Sequence, residues 1–166
     1  LTDGKFLEER RMNKKKWMPL GAGFVAVFLA SCGGLNTDFP APGENAKPEE
    51  IFPADIKGLK PEYSPAGDIG GMVATYGKGK IAIRVSRLKT NNEANVAFEK
   101  AIVPAFKDFP TKVTGKINGK WRASGKDGFG KKHYAWVNHI YIFMVTGENE
   151  EMFDLAVDKF PYISKD

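Results

Sequence analysis

The sequence predicts an α+β domain: one antiparallel sheet of about six strands with two helices packed on it. Three observations predict it. Segments 72–87, 111–126 and 131–146 are apolar or alternating runs broken by Gly and Asn turns, as in hairpins. Two amphipathic stretches follow hairpins, one opening at Thr90 and one at Gly147-Glu148. A unit also recurs. Tyr76-Gly77-Lys78-Gly79-Lys80-Ile81, a strand, a helix and Phe109-Pro110 parallel Trp136-Val137-Asn138-His139-Ile140-Tyr141, a strand, a helix and Phe160-Pro161. The repeat predicts a duplicated hairpin–helix unit with two related helices.

Taken in order, residues 1–11 are expected to be a non-native leader. The chain opens on Leu1, and the charged run Glu8-Glu9-Arg10-Arg11 precedes Met12, the expected start. From Met12 the chain reads as an export signal. Lys14, Lys15 and Lys16 form its basic head, which stays on the cytoplasmic side. Trp17 to Ser31 is apolar or small. A spanning helix needs about 20 apolar residues, so this stretch is too short and fits the core of a signal. It closes on Leu29-Ala30-Ser31-Cys32.

These residues resemble the signal and lipobox of bacterial lipoproteins. Leu29 matches the family's usual residue at the third position before the cysteine. Ala30 and Ser31 are small residues that suit a peptidase cleft. The resemblance covers Met12 to Cys32. It implies a signal peptide over 12–31, cleavage before Cys32, a diacylglyceryl thioether on Cys32 and a further acyl group, such as palmitate, on the new amino terminus. Two or three acyl chains anchor stably, where one binds only marginally. The implied location is extracytoplasmic, on the bacterial membrane. Gly33, rather than Asp, follows the cysteine, which in some Gram-negative bacteria implies the periplasmic face of the outer membrane.

Six basic and three acidic residues lie in 1–31, so the other 135 residues carry 19 Lys+Arg against 17 Asp+Glu. The pI near 9.2 of the whole chain therefore reflects in part a segment expected to be removed. It does not argue for a nucleic-acid partner, and the expected compartment holds no nucleic acid. Cys32 is the sole cysteine, which excludes an internal disulfide and any cysteine-rich metal site.

After Cys32, Gly33, Gly34, Pro40, Pro42, Gly43 and Pro48 stand among polar residues. Such a segment buries too little to offset its ordering entropy, so 32–50 is expected to be a lipidated cysteine and flexible tether. The globular domain is expected over 51–166, opening at Ile51-Phe52-Pro53. Gly58 to Gly71, rich in Pro and Gly, is expected to be an irregular loop. Met72–Tyr76 and Lys80–Arg87 read as strands around Gly77-Lys78-Gly79, with Ile83 and Val85 alternating with Arg84 and Ser86.

Thr90-Asn91-Asn92-Glu93 is a capping box, with Thr90 as cap and Glu93 reaching back. The helix after it places Ala94, Ala97, Phe98, Ala101, Ile102, Ala105 and Phe109 on one stripe, which predicts core. Pro104 lacks an amide donor and predicts a kink or restart.

Thr111–Lys116 and Lys120–Lys126 form the next predicted hairpin. Burying apolar and charged residues apart favours a three-residue loop, Ile117-Asn118-Gly119, with Gly119 in a left-handed bulge. Val113, Gly115, Trp121 and Ala123 then share the buried face, with Trp121 across from Gly115. Asp127 to Gly130 turns the chain. Lys131–Val137 and Ile140–Thr146 form a further hairpin through Asn138-His139. Ile140 to Val145 is apolar on both faces and predicts a central, covered strand. The last helix runs to Phe160 with Met152, Phe153, Ala156 and Val157 inward. Glu148, Glu150 and Glu151 stand in its first turn, where the helix dipole favours them.

Few residues invite chemistry. His133 and His139 fall on a strand and at a turn with no acidic partner at ligand spacing, so no metal and no catalytic role is expected. Ser64, Ser86 and Ser124 lack the Gly-x-Ser-x-Gly elbow of a nucleophile. Gly125-Lys126-Asp127-Gly128-Phe129-Gly130-Lys131-Lys132 resembles a phosphate loop in composition. A strand follows it, however, where a phosphate cradle needs a helix. No cofactor is implied. What remains is a basic side of the meander: Lys112, Lys116, Lys120, Arg122 and Lys126 on one face, extended by Tyr134 and Trp136. Basic residues mixed with aromatics suit anionic lipid or glycan, or an acidic protein. The plainer reading is a solvated face whose lysines block edge aggregation. The expectation is a non-enzymatic envelope protein that binds a protein partner or anionic envelope component there. The alternative is a small-molecule or lipid carrier with a pocket near Tyr134 and Trp136.

Overall fold

A computed structural model describes residues 40–163 except Asp68. Among these residues one antiparallel sheet of seven strands has the order β1-β2-β3-β7-β6-β5-β4. The strands are β1 (Pro61–Pro65), β2 (Met72–Tyr76), β3 (Ile81–Arg87), β4 (Thr111–Ile117), β5 (Lys120–Lys126), β6 (Lys132–Asn138) and β7 (Tyr141–Gly147). The helices are α1 (Pro48–Ile51), α2 (Asn91–Ala97), α3 (Val103–Ala105) and α4 (Glu150–Lys159), with a π-helical turn over Phe98–Ile102. The α+β class and the single antiparallel sheet match the sequence reading. The lipobox residues Leu29, Ala30, Ser31 and Cys32 lie outside the described residues.

β7 is the middle strand and is apolar on both faces, as its sequence requires. Tyr141, Phe143 and Val145 join one core with Ile81, Ile83, Val85 and Trp136, under Phe153, Ala156 and Phe160. Ile142 joins a second core with Ala123, Ala135 and Val137, under Ala94, Phe98, Ile102 and Phe106. Successive strand residues point to opposite faces. The two cores therefore lie on the two sides of the sheet, α4 on one and α2 with its π turn on the other. The reason is topological. β3 and β4 are joined through α2 although three strands separate them, so the chain must cross one face. α4 returns on the other.

This arrangement bears on the repeat. The two hairpins turn differently, through residues 77–80 between β2 and β3 but through 139–140 between β6 and β7. Their helices cover opposite faces, whereas a rotation carrying one hairpin onto the other would leave both on the same face. The structural likeness of the two units stops at the strands.

Local signals acted largely as expected at the helices. The Thr90 hydroxyl accepts from the Glu93 amide at 3.1 Å, and the Glu93 carboxylate accepts from the Lys89 amide at 3.1 Å. That bond falls one residue before the cap. The Val103 amide bonds back to the Phe98 carbonyl, which makes the wide turn, and Pro104 sits in the first turn of α3. α4 is capped by Asn149, whose side chain accepts from the Met152 amide at 3.0 Å. Gly147 ends β7 where a Cβ would lie 2.3 Å from the Phe153 nitrogen, so only glycine lets α4 sit this close.

Three readings need correction. The segment from Gly58 to Gly71 contains a strand, β1, at the sheet edge. Its end prolines, Pro61 and Pro65, are residues an edge tolerates. Residues 40–50, read as tether, are docked: Asn138 donates to the Pro40 carbonyl at 3.1 Å and the Tyr141 hydroxyl to Gly43 at 3.0 Å. Ala41 and Ala46 pack on the core beside them.

The third correction is the β4–β5 register. Ile117 pairs with Lys120 across a two-residue loop. Asn118 and Gly119 both have positive φ, 49° and 76°, as a type I′ turn demands. Trp121 then faces Lys116 rather than Gly115, and Ala123 faces Thr114. The mixed faces are tolerable because β4 is an edge. The Lys116 ammonium also sits 4.7 Å from the Trp121 ring centroid, a favourable cation–π contact.

Candidate functional site

The corrected register decides which basic residues stand together. Cross-strand partners share a face, so β4, β5 and β6 build three rows on the α4 side. These are Thr111–Lys126–Lys132, Val113–Ser124–Tyr134 and Gly115–Arg122–Trp136. Ile117–Lys120 completes the face toward the turn. Of the predicted binding residues, Lys120, Arg122, Lys126, Tyr134 and Trp136 are brought to one side. Lys112 and Lys116 lie on the other, with Trp121. The single basic face expected from the sequence is thus divided between the two sides of the sheet.

Trp136 is core rather than surface. It is fully buried, stacked between Tyr134 at 4.9 Å and Phe143 at 5.1 Å. Tyr134 is half-buried, and burial pushes its hydroxyl pKa up, opposed in part by the charge and hydrogen bond of Arg122. Val113, in the same row, is 71% exposed. α4 does not reach it, because the helix packs over β7, β3 and β6.

Between α4 and this open half of the sheet runs a cleft of about 510 Å³. Its walls are Ser124 and Tyr134 from the sheet, Phe153 and Val157 from α4, and Ile163 beyond it. Lys126 and Lys132 close one end. Both pair with one carboxylate: Lys126 lies 3.0 Å from Glu150, and Lys132 also contacts Glu150. Lys132 lies 3.8 Å from Asp154 and 4.5 Å over the Phe153 ring. Hydrogen bonds from Lys132 and Lys126 hold the exposed Glu150 carboxyl below its usual pKa.

No protein-family model and no curated protein matches the sequence. Among solved structures, a GTP binding regulator from Thermotoga maritima is similar, with a TM-score of 0.49 and 16% sequence identity. The match covers 67% of this chain and 84% of that one.

The sequence missed a constellation on the opposite face. His133 Nε2 lies 3.0 Å from Asp127 Oδ2, and its Nδ1 lies 3.0 Å from the Thr146 hydroxyl. The acidic partner comes from the turn six residues earlier. Phe109 and Phe106 cover the imidazole at 4.9 and 6.2 Å. Asp127 Oδ1 accepts from the amides of Phe129 and Lys131 at 2.9 and 3.0 Å. Burial pushes the Asp127 pKa up, but the hydrogen bonds from His133 and these amides outweigh it and hold the carboxyl below its usual range. The chain of groups ties the β5–β6 turn to β7. The turn residue Phe129 is presented 90% exposed at its tip. His139 stands exposed at the β6–β7 turn with φ of 51°. Among the described residues no three His, Cys, Asp or Glu side chains gather as metal ligands would. Among the same residues no helix is long and apolar enough to cross a membrane.

Proposed function

We propose that this protein is a lipid-anchored, extracytoplasmic component of a bacterial envelope, held through Cys32, that acts by binding rather than catalysis. Its binding face is the half of the sheet that α4 leaves open, where Lys120, Arg122 and Lys126 flank the exposed Val113 and the half-buried Tyr134. The partner is a protein or an anionic envelope component such as lipid or glycan. The observation that carries this reading is the juxtaposition of three cations with uncovered apolar surface on one side of β4–β6. Apolar surface rimmed by charge is the usual form of an interaction site.

Two experiments test it. Labelled palmitate should enter the protein in its host and be lost with Cys32→Ser. Envelope crosslinking followed by mass spectrometry should give a product that disappears with Lys120→Glu, Arg122→Glu and Lys126→Glu together. Lys112→Glu with Lys116→Glu, on the other face, should leave that product unchanged. Equal loss from both sets would sink the assignment to this face.

The cleft beside α4 supports a second reading, a carrier of a small molecule or lipid near Tyr134. Charge reversal at Lys120 and Arg122, outside the cleft, should spare binding under that reading.

A further inference from the structure

We propose that the cleft between α4 and the β5–β6 strands binds a single-chain anionic amphiphile. This deepens the carrier reading and rests on it. The alkyl chain lies against Tyr134, Phe153, Val157 and Ile163, and the anion sits between Lys126 and Lys132. Small-molecule sites are usually apolar clefts of about 300–1,000 Å³ with a few placed polar groups. A volume of about 510 Å³, apolar walls and two ammonium groups at one end fit a chain with a charged terminus.

The charge arrangement names the headgroup. Lys126 and Lys132 are cross-strand partners, so the sheet holds their backbones side by side and both ammonium groups reach the Glu150 carboxylate. The Glu150 carboxylate already sits between them, 3.0 Å from Lys126 and in contact with Lys132. An oxyanion therefore has a built position there, occupied by a side chain that is about half-exposed and free to swing outward. Lys132 lays its charge over the Phe153 ring, which joins the cationic end to the apolar wall. Glu150 thus stands in for the ligand's headgroup and competes with it.

The test uses the chain from residue 32 onward, exported with Cys32→Ser so that no attached acyl group fills the cleft. Both cores lie within the residues it keeps. Calorimetric titration with monododecyl phosphate below its micellar concentration should show one bound molecule per chain. Lys126→Gln with Lys132→Gln should weaken it by about tenfold or more, as loss of charge-assisted hydrogen bonds does. Glu150→Gln should tighten it, a sign that no general loss of structure gives. Val157→Trp should fill the cleft and abolish binding. Ser124→Trp fills the same space from the sheet if the helix variant does not fold. Dodecyl maltoside, with the same chain and no charge, should bind at least about tenfold more weakly than the phosphate. Equal binding of the two, indifferent to the lysines, would overturn the anion assignment and leave the carrier reading standing. Binding of neither would overturn both.

Discussion

Asp127 Oδ2 and His133 Nε2 stand 3.0 Å apart across the β5–β6 turn, with side chains 17% and 15% exposed. The pair gives the turn its shape. Asp127 spends its other oxygen on the amides of Phe129 and Lys131, and His133 passes the link to Thr146 on β7. Removing Asp127 strips acceptors from three donors. Asp127→Ala should therefore destabilise the fold by about 1–3 kcal/mol, read by urea unfolding. Backbone exchange should rise first over residues 127–131.

The same carboxylate makes a pH prediction. Its pKa is held below the usual value in the folded protein. In the unfolded chain it returns to about 3.9. The folded state thus binds the proton less readily, and stability falls as protons are added. The contribution is fully present above about pH 4 and fades as pH drops through the depressed folded value. In Asp127→Asn the stability profile should be flatter below about pH 4. An unchanged acid limb would show that the depression contributes nothing to folding.

Two glycines on the sheet should respond in opposite ways. At Gly147 an added Cβ meets the Phe153 nitrogen at 2.3 Å and its Cα at 2.5 Å. Both are backbone atoms and cannot rotate away. Gly147→Ala must push α4 off the sheet and should cost at least about 1–3 kcal/mol. At Gly115 nothing lies within 4 Å of the added carbon. Gly115→Ala should be near neutral or slightly stabilising, since alanine restricts the unfolded chain. Urea midpoints of the two variants make the comparison.

The β4–β5 hairpin shows what the sequence could and could not tell. Asn118-Gly119 is a strong two-residue turn signal, and both residues take the positive φ it implies. Turn chemistry predicts the observed register, and face segregation the bulged one. That rule holds for a strand covered on one side, and β4 is an uncovered edge whose burial is slight throughout. Where burial decides, the sequence was legible. Thr90 caps its helix, β7 is apolar on both faces and central, and Met152 to Phe160 lies along α4 as expected. The side on which each helix packs was not legible. Periodicity tells which stripe of a helix is buried, not which face of the sheet receives it. Spacing along the chain does not reveal the His133–Asp127 pair, because a hairpin turn brings residues together across it. Of the expected binding residues, Lys120, Arg122, Lys126 and Tyr134 share one side of the sheet, whereas the two-residue turn puts Lys112 and Lys116 on the other and Trp136 is buried. The α4 wall of the cleft had no signal, because Phe153 and Val157 read as ordinary core.

The left-handed turn and the register can be checked separately, the first by substitution at Gly119 and the second by cross-strand contacts. Gly119→Val puts a β-branched residue at a φ of 76°, where L-residues are strained by about 1–2 kcal/mol. Stability should fall by about that amount. Cross-strand nuclear Overhauser contacts between Ile117 and Lys120 should persist in the wild type. Contacts between Gly115 and Trp121 as direct partners would restore the bulged loop.

The docked segment at residues 40–50 makes the last prediction. Asn138 is buried and holds the Pro40 carbonyl, and Tyr141 holds that of Gly43. Both bonds come from the β6–β7 end of the sheet, while the β5–β6 turn with Phe129 lies at the other end of β6. A chain covers at most about 3.6 Å per residue, so the anchor proposed on Cys32 would reach no further than roughly 30 Å from the docked end. Asn138→Ala with Tyr141→Phe should release the segment and lengthen that reach. Hydrogen exchange should speed at Ala46, Glu50 and Ile51, whose amides are bonded only within it. Amides of β3 and β7 should keep their protection. If the whole sheet loses protection together, the segment is part of the core's cooperative unit, and the reach of the proposed anchor would be fixed by the fold.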